Sequence, residues 1–488
     1  MVPLSREGVE MFGMTVDKSN GIPLFRQVYM QIRDLILEGK LKAGERIPST
    51  RELASALGVS RNVVLEAYSL LMAEDYIQSR QGSGTRVAEG ACFRRTREVT
   101  LPSENASSAL VEDQKDLINF RSGVPALDIF PLKQWGRIMH EICLESSGSI
   151  MTYDSPEGRW ELRSTLSEYL FRARGIHCHP EQLLITSGAT QGLALVAKLL
   201  FLPGAEALAE DPVHIGVRKI SSGAGYRLRH VPVDAHGLQT HLLPSDGAIP
   251  RFIYVTPSHQ FPLGGILPVQ RRIELITFAR DNDCYILEDD YDSEYRYEGP
   301  PLSALHWLDP ERVIYLGSFS KIMAPALRLG YVIIPSTLMQ RCRELKRYSD
   351  VHTPSLDQLA LARFINEGRL ERHVARMKRV YASRRRAIME ALKHYFPEEH
   401  TVTGDSTGLH LIAEFPEVEF TDKVVGMLIQ NGVRVYPVDK HAIEKGRHKN
   451  KVILGYGHLD SERIVEGIQR LRTLLSYRPV KYKKCYSK

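Results

Sequence analysis

The chain has 488 residues, 43% hydrophobic and 25% charged, with a net charge of +6. Such a length exceeds what one core sustains and allows roughly two to four domains, and the absence of an apolar run of about 20 residues excludes a membrane-spanning helix. The mild basic excess permits a polyanionic partner without demonstrating one.

The first residues, Met1-Val-Pro-Leu-Ser-Arg-Glu, lack the basic start, apolar stretch and small-residue cleavage site of a secretory signal, so the expected location is the cytoplasm. Six cysteines (Cys92, Cys143, Cys178, Cys284, Cys342 and Cys485) lie scattered, with no Cys-x-x-Cys pair. Reduced thiols are expected, with neither a disulfide framework nor a bound metal.

Along the chain, Leu24, Val28, Ile32, Leu35 and Ile36 recur at helical spacing before Gly39, which predicts a helix over 24–38. Ser49-Thr-Arg-Glu52 fits a capping box leading into Leu53, Ala54 and Leu57. Ser60 is expected to cap a third helix carrying Val63, Val64, Ala67, Tyr68, Leu71 and Met72. Two short helices meeting at Gly58-Val59 have the spacing of a helix-turn-helix. Tyr76 to Arg80, a turn at Gln81-Gly82-Ser83-Gly84, and Thr85 to Val87 read as a hairpin wing. The first domain therefore spans about 20–88. Residues 89–115 turn polar, with Arg94, Arg95, Arg97 and Pro102, the composition of a linker.

From Tyr153 onward, helical stretches alternate with short apolar strands at 183–186, 252–255, 285–287, 313–316 and 331–334. That alternation predicts an α/β body with a mainly parallel sheet covered by helices on both faces. The body is expected over 116–476: a large part at about 150–350, and a smaller α+β part at about 355–476 that begins with long Arg-rich helices. A basic tail, 477–488, closes the chain, with a solvated end as its simplest reading.

Residues 22–88, and above all Leu41 to Val64, resemble the winged helix-turn-helix of GntR-type bacterial regulators. The resemblance implies that Arg51 binds phosphate and that Ser60, Arg61 and Asn62 begin the recognition helix. Fixed donors at a helix start suit anionic oxygens, while arginine and asparagine side chains match guanine and adenine edges. Gly82 and Gly84 would let the wing approach a duplex, flanked by Arg80 and Arg86. Arg51 and Arg61 have a simpler alternative as surface arginines paired with Glu52 or Glu66.

In the body, Gly317-Ser318-Phe319-Ser320-Lys321 follows an apolar strand. Pyridoxal phosphate chemistry requires a lysine for the Schiff base, a carboxylate for the pyridine nitrogen and a phosphate anchor. Lys321, Asp289 and the strand-to-helix turn Ser187-Gly188-Ala189-Thr190 can supply these. Arg328 adds charge, Ser318 and Ser320 add hydroxyls, and Tyr291 can donate to the cofactor's phenolic oxygen. Within Glu288-Asp289-Asp290, a loop turn or a metal-ligand run remains an alternative.

Order and spacing over 116–476 resemble the fold-type-I aminotransferases. The resemblance puts Tyr153 at the dimer interface near the phosphate, His259 where an asparagine bonds the cofactor oxygen, and His214 where a ring stacks on the pyridine. It puts Lys451 where an arginine clamps the substrate carboxylate, with Arg447 or Arg434 as substitutes. Loss of guanidinium geometry there would weaken ordinary transamination.

Head and body together resemble the MocR family of bacterial transcription regulators. That resemblance implies a pyridoxal-phosphate-binding homodimer, head-to-tail, that binds double-stranded operator DNA and senses a small amino compound or the cofactor itself. A working aminotransferase with a DNA-binding head is the alternative.

Overall fold

A computed structural model describes residues 13–80, 84–90, 116–245, 249–300 and 302–476. The chain divides into two compact units at residue 112. The inferred linker beyond residue 90, Gly82 of the wing, Cys92, Cys485 and the basic tail lie outside the described residues, as does the side chain of Arg80.

The first unit contains α1 (Leu24–Leu37), α2 (Thr50–Leu57), α3 (Arg61–Ala73), and the antiparallel strands β1 (Ile77–Arg80) and β2 (Gly84–Val87). Its core joins Val28, Ile32 and Ile36 to Leu53, Val64, Ala67, Tyr68, Leu71 and Ile77. The spacing read from α1 is therefore its buried stripe. The capping box forms: Glu52 N–H donates to Ser49 Oγ at 3.3 Å, and Ser49 N–H donates to Glu52 Oε2 at 2.8 Å. Gly58, at φ 62°, ends α2 in the left-handed conformation that glycine tolerates. Ser60 departs from expectation, because it precedes α3 without a side-chain capping bond.

The second unit opens with β3 (Ile118–Asn119), α4 (Leu132–Glu145) and α5 (Trp160–Arg174). Then β4 (Leu183–Thr186), α6 (Ala189–Leu200), β5 (Glu206–Asp211), α7 (Ile215–Gly223), β6 (Arg227–Asp234), β7 (Gly237–Leu238), β8 (Pro250–Val255), α8 (Val269–Asp281), β9 (Tyr285–Asp290), β10 (Val313–Ser318) and β11 (Gly330–Ile333) follow. The eight strands lie in the order β4-β11-β10-β9-β8-β5-β6-β7. From β10 to β6 every pairing is parallel, whereas β11 runs antiparallel to both neighbours. Every residue of β4, β5, β10 and β11 is buried, which explains why such strands read as unbroken apolar runs. β5 and β6 escape that reading because Glu206, Glu210 and Asp211 punctuate the first, and Arg227, Arg229 and His230 the second.

The chain continues through α9 (Ser336–Asp350), α10 (Ser355–Asn366) and the long α11 (Arg369–Tyr395). A smaller layer follows: β12 (Thr401–Thr403), β13 (His410–Glu414), α12 (Asp422–Gln430), β14 (Val433–Arg434), β15 (Tyr436–Pro437), β16 (Lys451–Gly455) and α13 (Ser461–Ser476). Its sheet has the order β12-β13-β16-β15, while β14 pairs in parallel with β3. Ile118, Phe120 and Ala126 are buried in the same cluster as Leu411, Leu454 and Ile468. The smaller part is thus discontinuous: residues 116–126 return to it, and burial of Phe120 drives that return. Four described cysteines are unpaired, and no helix of the described residues is long and apolar enough to cross a membrane.

Candidate functional site

A cavity of about 350 Å³ opens at the carboxyl ends of the parallel strands, the usual place for a ligand in an open α/β sheet. Ala189, Thr190, His214, Asp289, Tyr291, Ser318, Ser320, Lys321 and Arg328 all line it. Residues far apart in sequence meet there because successive parallel strands discharge their following turns on one edge.

Strand alternation separates the three acids of β9. Glu288 turns to one face and accepts N–H bonds from Leu305 and His306, both at 2.8 Å. Asp290 shares that face, where Tyr315 Oη donates to it at 2.6 Å beside the Arg174 guanidinium. Asp289 alone turns to the cavity. Its Oδ2 accepts from Tyr254 Oη at 2.5 Å, whereas its buried Oδ1 has no partner. Burial pushes its pKa up to about 6 against the pull of Tyr254.

Lys321 Nζ donates to the Gly123 carbonyl at 2.5 Å. Burial lowers its pKa; Asp292 and Asp289 oppose the shift, and Arg121 and Arg328 add to it. A lowered pKa raises the neutral fraction able to attack a carbonyl carbon. At the other end, Ala189 and Thr190 present the N-terminus of α6, and the Arg328 guanidinium donates to the Ser187 carbonyl. A Cβ added at Gly188, whose φ is +90°, would lie 2.8 Å from Arg328 Nη2. Only glycine leaves this anion cradle open.

These features fit pyridoxal phosphate. Asp289 Oδ1 would accept from its protonated ring nitrogen, the α6 start with Arg328, Ser318 and Ser320 would hold its phosphate, and Lys321 would take its aldehyde carbon. The cofactor supplies an electrophilic carbon for reversible bonding to amines.

His214 lies in the cavity as the residue before α7, where its Nδ1 accepts from Gly216 N–H at 3.1 Å and its ring meets Phe261 edge-on. His259 does not line the cavity, contrary to the asparagine-like place expected for it. Gln260 Nε2 donates to Glu210 at 3.2 Å and to the Pro212 carbonyl at 2.9 Å. Burial of Glu210 holds that carboxyl up at about 7. This latch turns Phe261 toward the cavity and His259 away from it, 3.0 Å from both Asp292 oxygens and 3.2 Å from the Gly404 carbonyl. Burial disfavours the charged imidazole, but Asp292 overrides it and the net pKa of His259 rises. His259, Asp292 and His410 bring metal-ligand atoms within 4.8 Å of one another; the imidazolium–carboxylate pair accounts for that geometry without an ion. Tyr291 lines the cavity, and its hydroxyl donates to the His259 carbonyl at 2.8 Å.

The carboxylate clamp is not at the positions expected for it. Lys451 pairs with Glu414 across β13 and β16 at 3.4 Å, Arg447 pairs with Glu444 at 3.0 Å, and Arg434 lies on β14 opposite Asn119. None lines the cavity. Tyr153 is 86% exposed, edge-on to His352, and outside the cavity of its own chain. Gly123, Tyr254, Phe261, Asp292 and His410 join the wall unannounced. Only the alternation of Phe252 and Tyr254 on β8 carried a signal for one of them.

In the first unit, Arg51, Arg61 and Asn62 are exposed. Among the described residues Arg51 and Arg61 form no ion pair with Glu52 or Glu66; Arg61 Nε reaches only Thr50 Oγ1, at 3.4 Å. Arg86 donates to the Gly44 carbonyl at 2.8 Å, bracing the wing, and Gly84 leaves room for Arg46.

Residues 24–87 match the family "Bacterial regulatory proteins, gntR family", and residues 115–449 match "Aminotransferase class I and II". The chain is 34% identical to the "Probable rhizopine catabolism regulatory protein MocR" of Rhizobium meliloti, over 94% of this chain and 95% of that one. It is 32% identical to the "HTH-type pyridoxine biosynthesis transcriptional regulator PdxR" of Corynebacterium glutamicum, over 89% and 92%. Among solved structures, LysN, an α-aminoadipate aminotransferase from Thermus thermophilus complexed with N-(5'-phosphopyridoxyl)-L-leucine, superposes with a TM-score of 0.68 at 30% identity, covering 74% of this chain and 92% of that one.

Proposed function

Since the chain belongs to the MocR family, DNA-binding transcription regulators whose GntR head precedes a pyridoxal-phosphate-binding aminotransferase class I and II body, we propose that an amino compound entering the cavity changes how the head binds its promoter in the cytoplasm. The observation that carries this reading is one cavity holding the free Oδ1 of Asp289, the Lys321 amine and the α6 cradle, in a chain whose recognition helix leaves Arg61 and Asn62 exposed.

Within the cavity, Lys321 would hold the cofactor by its aldehyde carbon, Asp289 would keep the ring nitrogen protonated, and the cofactor would supply an electrophilic carbon open to reversible bonding with amines. The occupant shifts the protein only in proportion to its different affinities for two arrangements. A homodimer, head-to-tail, would convert such a shift into altered spacing between two recognition helices, which must match half-sites of fixed helical phase. Exposed Tyr153, Met151, Trp160 and Leu132 supply apolar surface for a subunit contact.

The test pairs two readouts on the full-length protein: cofactor absorbance and affinity for a duplex selected from a random pool, across a panel of amines and amino acids. A compound that moves both supports sensing. Sustained multiple turnover of an amino acid with unchanged DNA affinity supports the aminotransferase reading instead.

A further inference from the structure

Among the described residues, Lys321 and Arg328 are the cations of the cavity wall, and each already has a partner. Lys321 Nζ donates to the Gly123 carbonyl at 2.5 Å, and the Arg328 guanidinium donates to the Ser187 carbonyl beside the α6 cradle. The wall's imidazoles bring no further charge near pH 7. Burial and the His259 charge hold the pKa of His410 down at about 3, and burial with Lys321 lowers that of His214. An amine that also carries a carboxylate would bring a charge that nothing in the wall answers, and an unpaired carboxylate away from water is costly.

Strand register explains why β16 does not supply the answer. Lys451, Ile453 and Gly455 share one face of β16, opposite Glu414, Ile412 and His410 of β13. His410 lines the cavity, so Gly455 takes the cavity end of that face. Ile453 meets Ile412 in an apolar cluster with Phe261, and Lys451 lies four residues from Gly455, about 13 Å, against Glu414. At Gly455 another segment crosses. Gly455 N–H donates to the Phe120 carbonyl at 2.9 Å, and a Cβ on Gly455 would stand 2.2 Å from the Arg121 carbonyl. Glycine there lets residues 120–123 pass over the cavity end of the strand.

Arg121 arrives by that crossing. Ser122 and Gly123, next in the chain, line the cavity. Phe120 is buried in the smaller core and its N–H donates to the Arg434 carbonyl at 3.0 Å, so the backbone is fixed on both sides. The Arg121 side chain is exposed and, among the described residues, enters no ion pair. Its charge nevertheless reaches the cavity, where it acts with Arg328 to lower the pKa of Lys321.

Building on the proposed role of the cavity as a receptor for an amino compound, we propose that Arg121 receives that compound's carboxylate, the role expected of Lys451, so that the ligand is an amino acid and not a simple amine. A planar guanidinium presents two parallel N–H donors to the two carboxylate oxygens, which fixes orientation as well as charge.

The experiment titrates matched pairs into the full-length, cofactor-loaded protein and follows the cofactor's absorbance: leucine against 3-methylbutylamine, and alanine and 3-aminopropanoate each against ethylamine. Wild type should bind the carboxylated member about tenfold or more tightly in at least one pair, the scale of a charge-assisted bond. In R121Q that ratio should fall to about one, whereas K451Q should keep the wild-type ratio. Because each ratio is taken within one protein, a smaller folded fraction scales both amplitudes and leaves the ratio unaltered. No such preference in any pair for wild type would overturn the proposal, as would a ratio that survives R121Q or one that is lost in K451Q. Duplex affinity measured in the same titrations separates the two readings. A ratio that depends on Arg121 with unchanged DNA affinity contradicts sensing alone, and a DNA response to an amino acid whose preference survives R121Q contradicts the Arg121 contact alone.

Discussion

Lys321 Nζ lies 2.5 Å from the carbonyl of Gly123, a residue 198 positions earlier in the chain. The two meet because Phe120 and Ile118 anchor the segment into the smaller core, leaving Ser122 and Gly123 across the cavity from β10. A Cβ on Gly123, at φ +71°, would stand 2.6 Å from Nζ. Gly123→Ala should therefore displace the amine and strain the backbone by about 1–2 kcal/mol. Expected outcomes are a melting temperature lower by several degrees and much slower capture of added cofactor, read from absorbance; wild-type capture would contradict this contact.

Asp289 sets a pH dependence whose sign follows from its raised pKa. The folded cofactor-free protein keeps a proton up to about pH 6 that the unfolded chain releases near 3.8. This group therefore costs stability progressively as pH rises through that window. A protonated ring nitrogen requires the ionised carboxylate, so the stabilisation conferred by pyridoxal phosphate should grow as pH rises toward and past 6. Asp289→Asn should flatten that rise and weaken binding about 10–100-fold, the range of a charge-assisted bond of about 1.5–3 kcal/mol. Melting curves with and without cofactor at several pH values give the comparison.

Two serines of the head should separate stability from recognition. Ser49 caps α2 reciprocally with Glu52, so Ser49→Ala should cost about 1 kcal/mol in denaturant unfolding. Ser60 makes no capping bond; Ser60→Ala should leave stability nearly unchanged and weaken DNA binding by removing a phosphate donor. Equal stability losses would show that the Ser60 hydroxyl caps α3 after all.

Arg51 and Arg61 should fail in different ways. Arg51→Ala is expected to weaken all duplexes alike and lower the salt slope by about 1. Arg61→Ala should relax preference at one base position, losing about 1–3 kcal/mol of discrimination. Binding to single-base variants of a selected duplex distinguishes them.

Much of the fold and site is legible in the sequence because it rests on local pattern. The stripe on α1, the capping box at Ser49 and the apolar runs of β4, β10 and β11 announce themselves within a few residues. Lys321, Asp289 and the Ser187–Thr190 turn are also visible, since chemistry restricts the residue types and strand ends restrict their places. What does not show depends on distant partners. Whether His259 or Phe261 faces the cavity is decided by Gln260 reaching Glu210, about 50 residues away. Lys451 takes its expected place from order along the chain, yet its strand register sets it against Glu414. Gly123 carries no signal, because its role exists only once Phe120 is buried.

The body's cofactor site is held to control the head. The most direct measurement titrates an amine that perturbs the cofactor's absorbance into the full-length protein bound to a selected duplex, with Lys321→Ala alongside. The expected result is a change in DNA affinity of about 5-fold or more, the usual scale of allosteric coupling, that tracks the absorbance change and vanishes in the variant. An amine that saturates the absorbance change while leaving DNA affinity and footprint unaltered would contradict it.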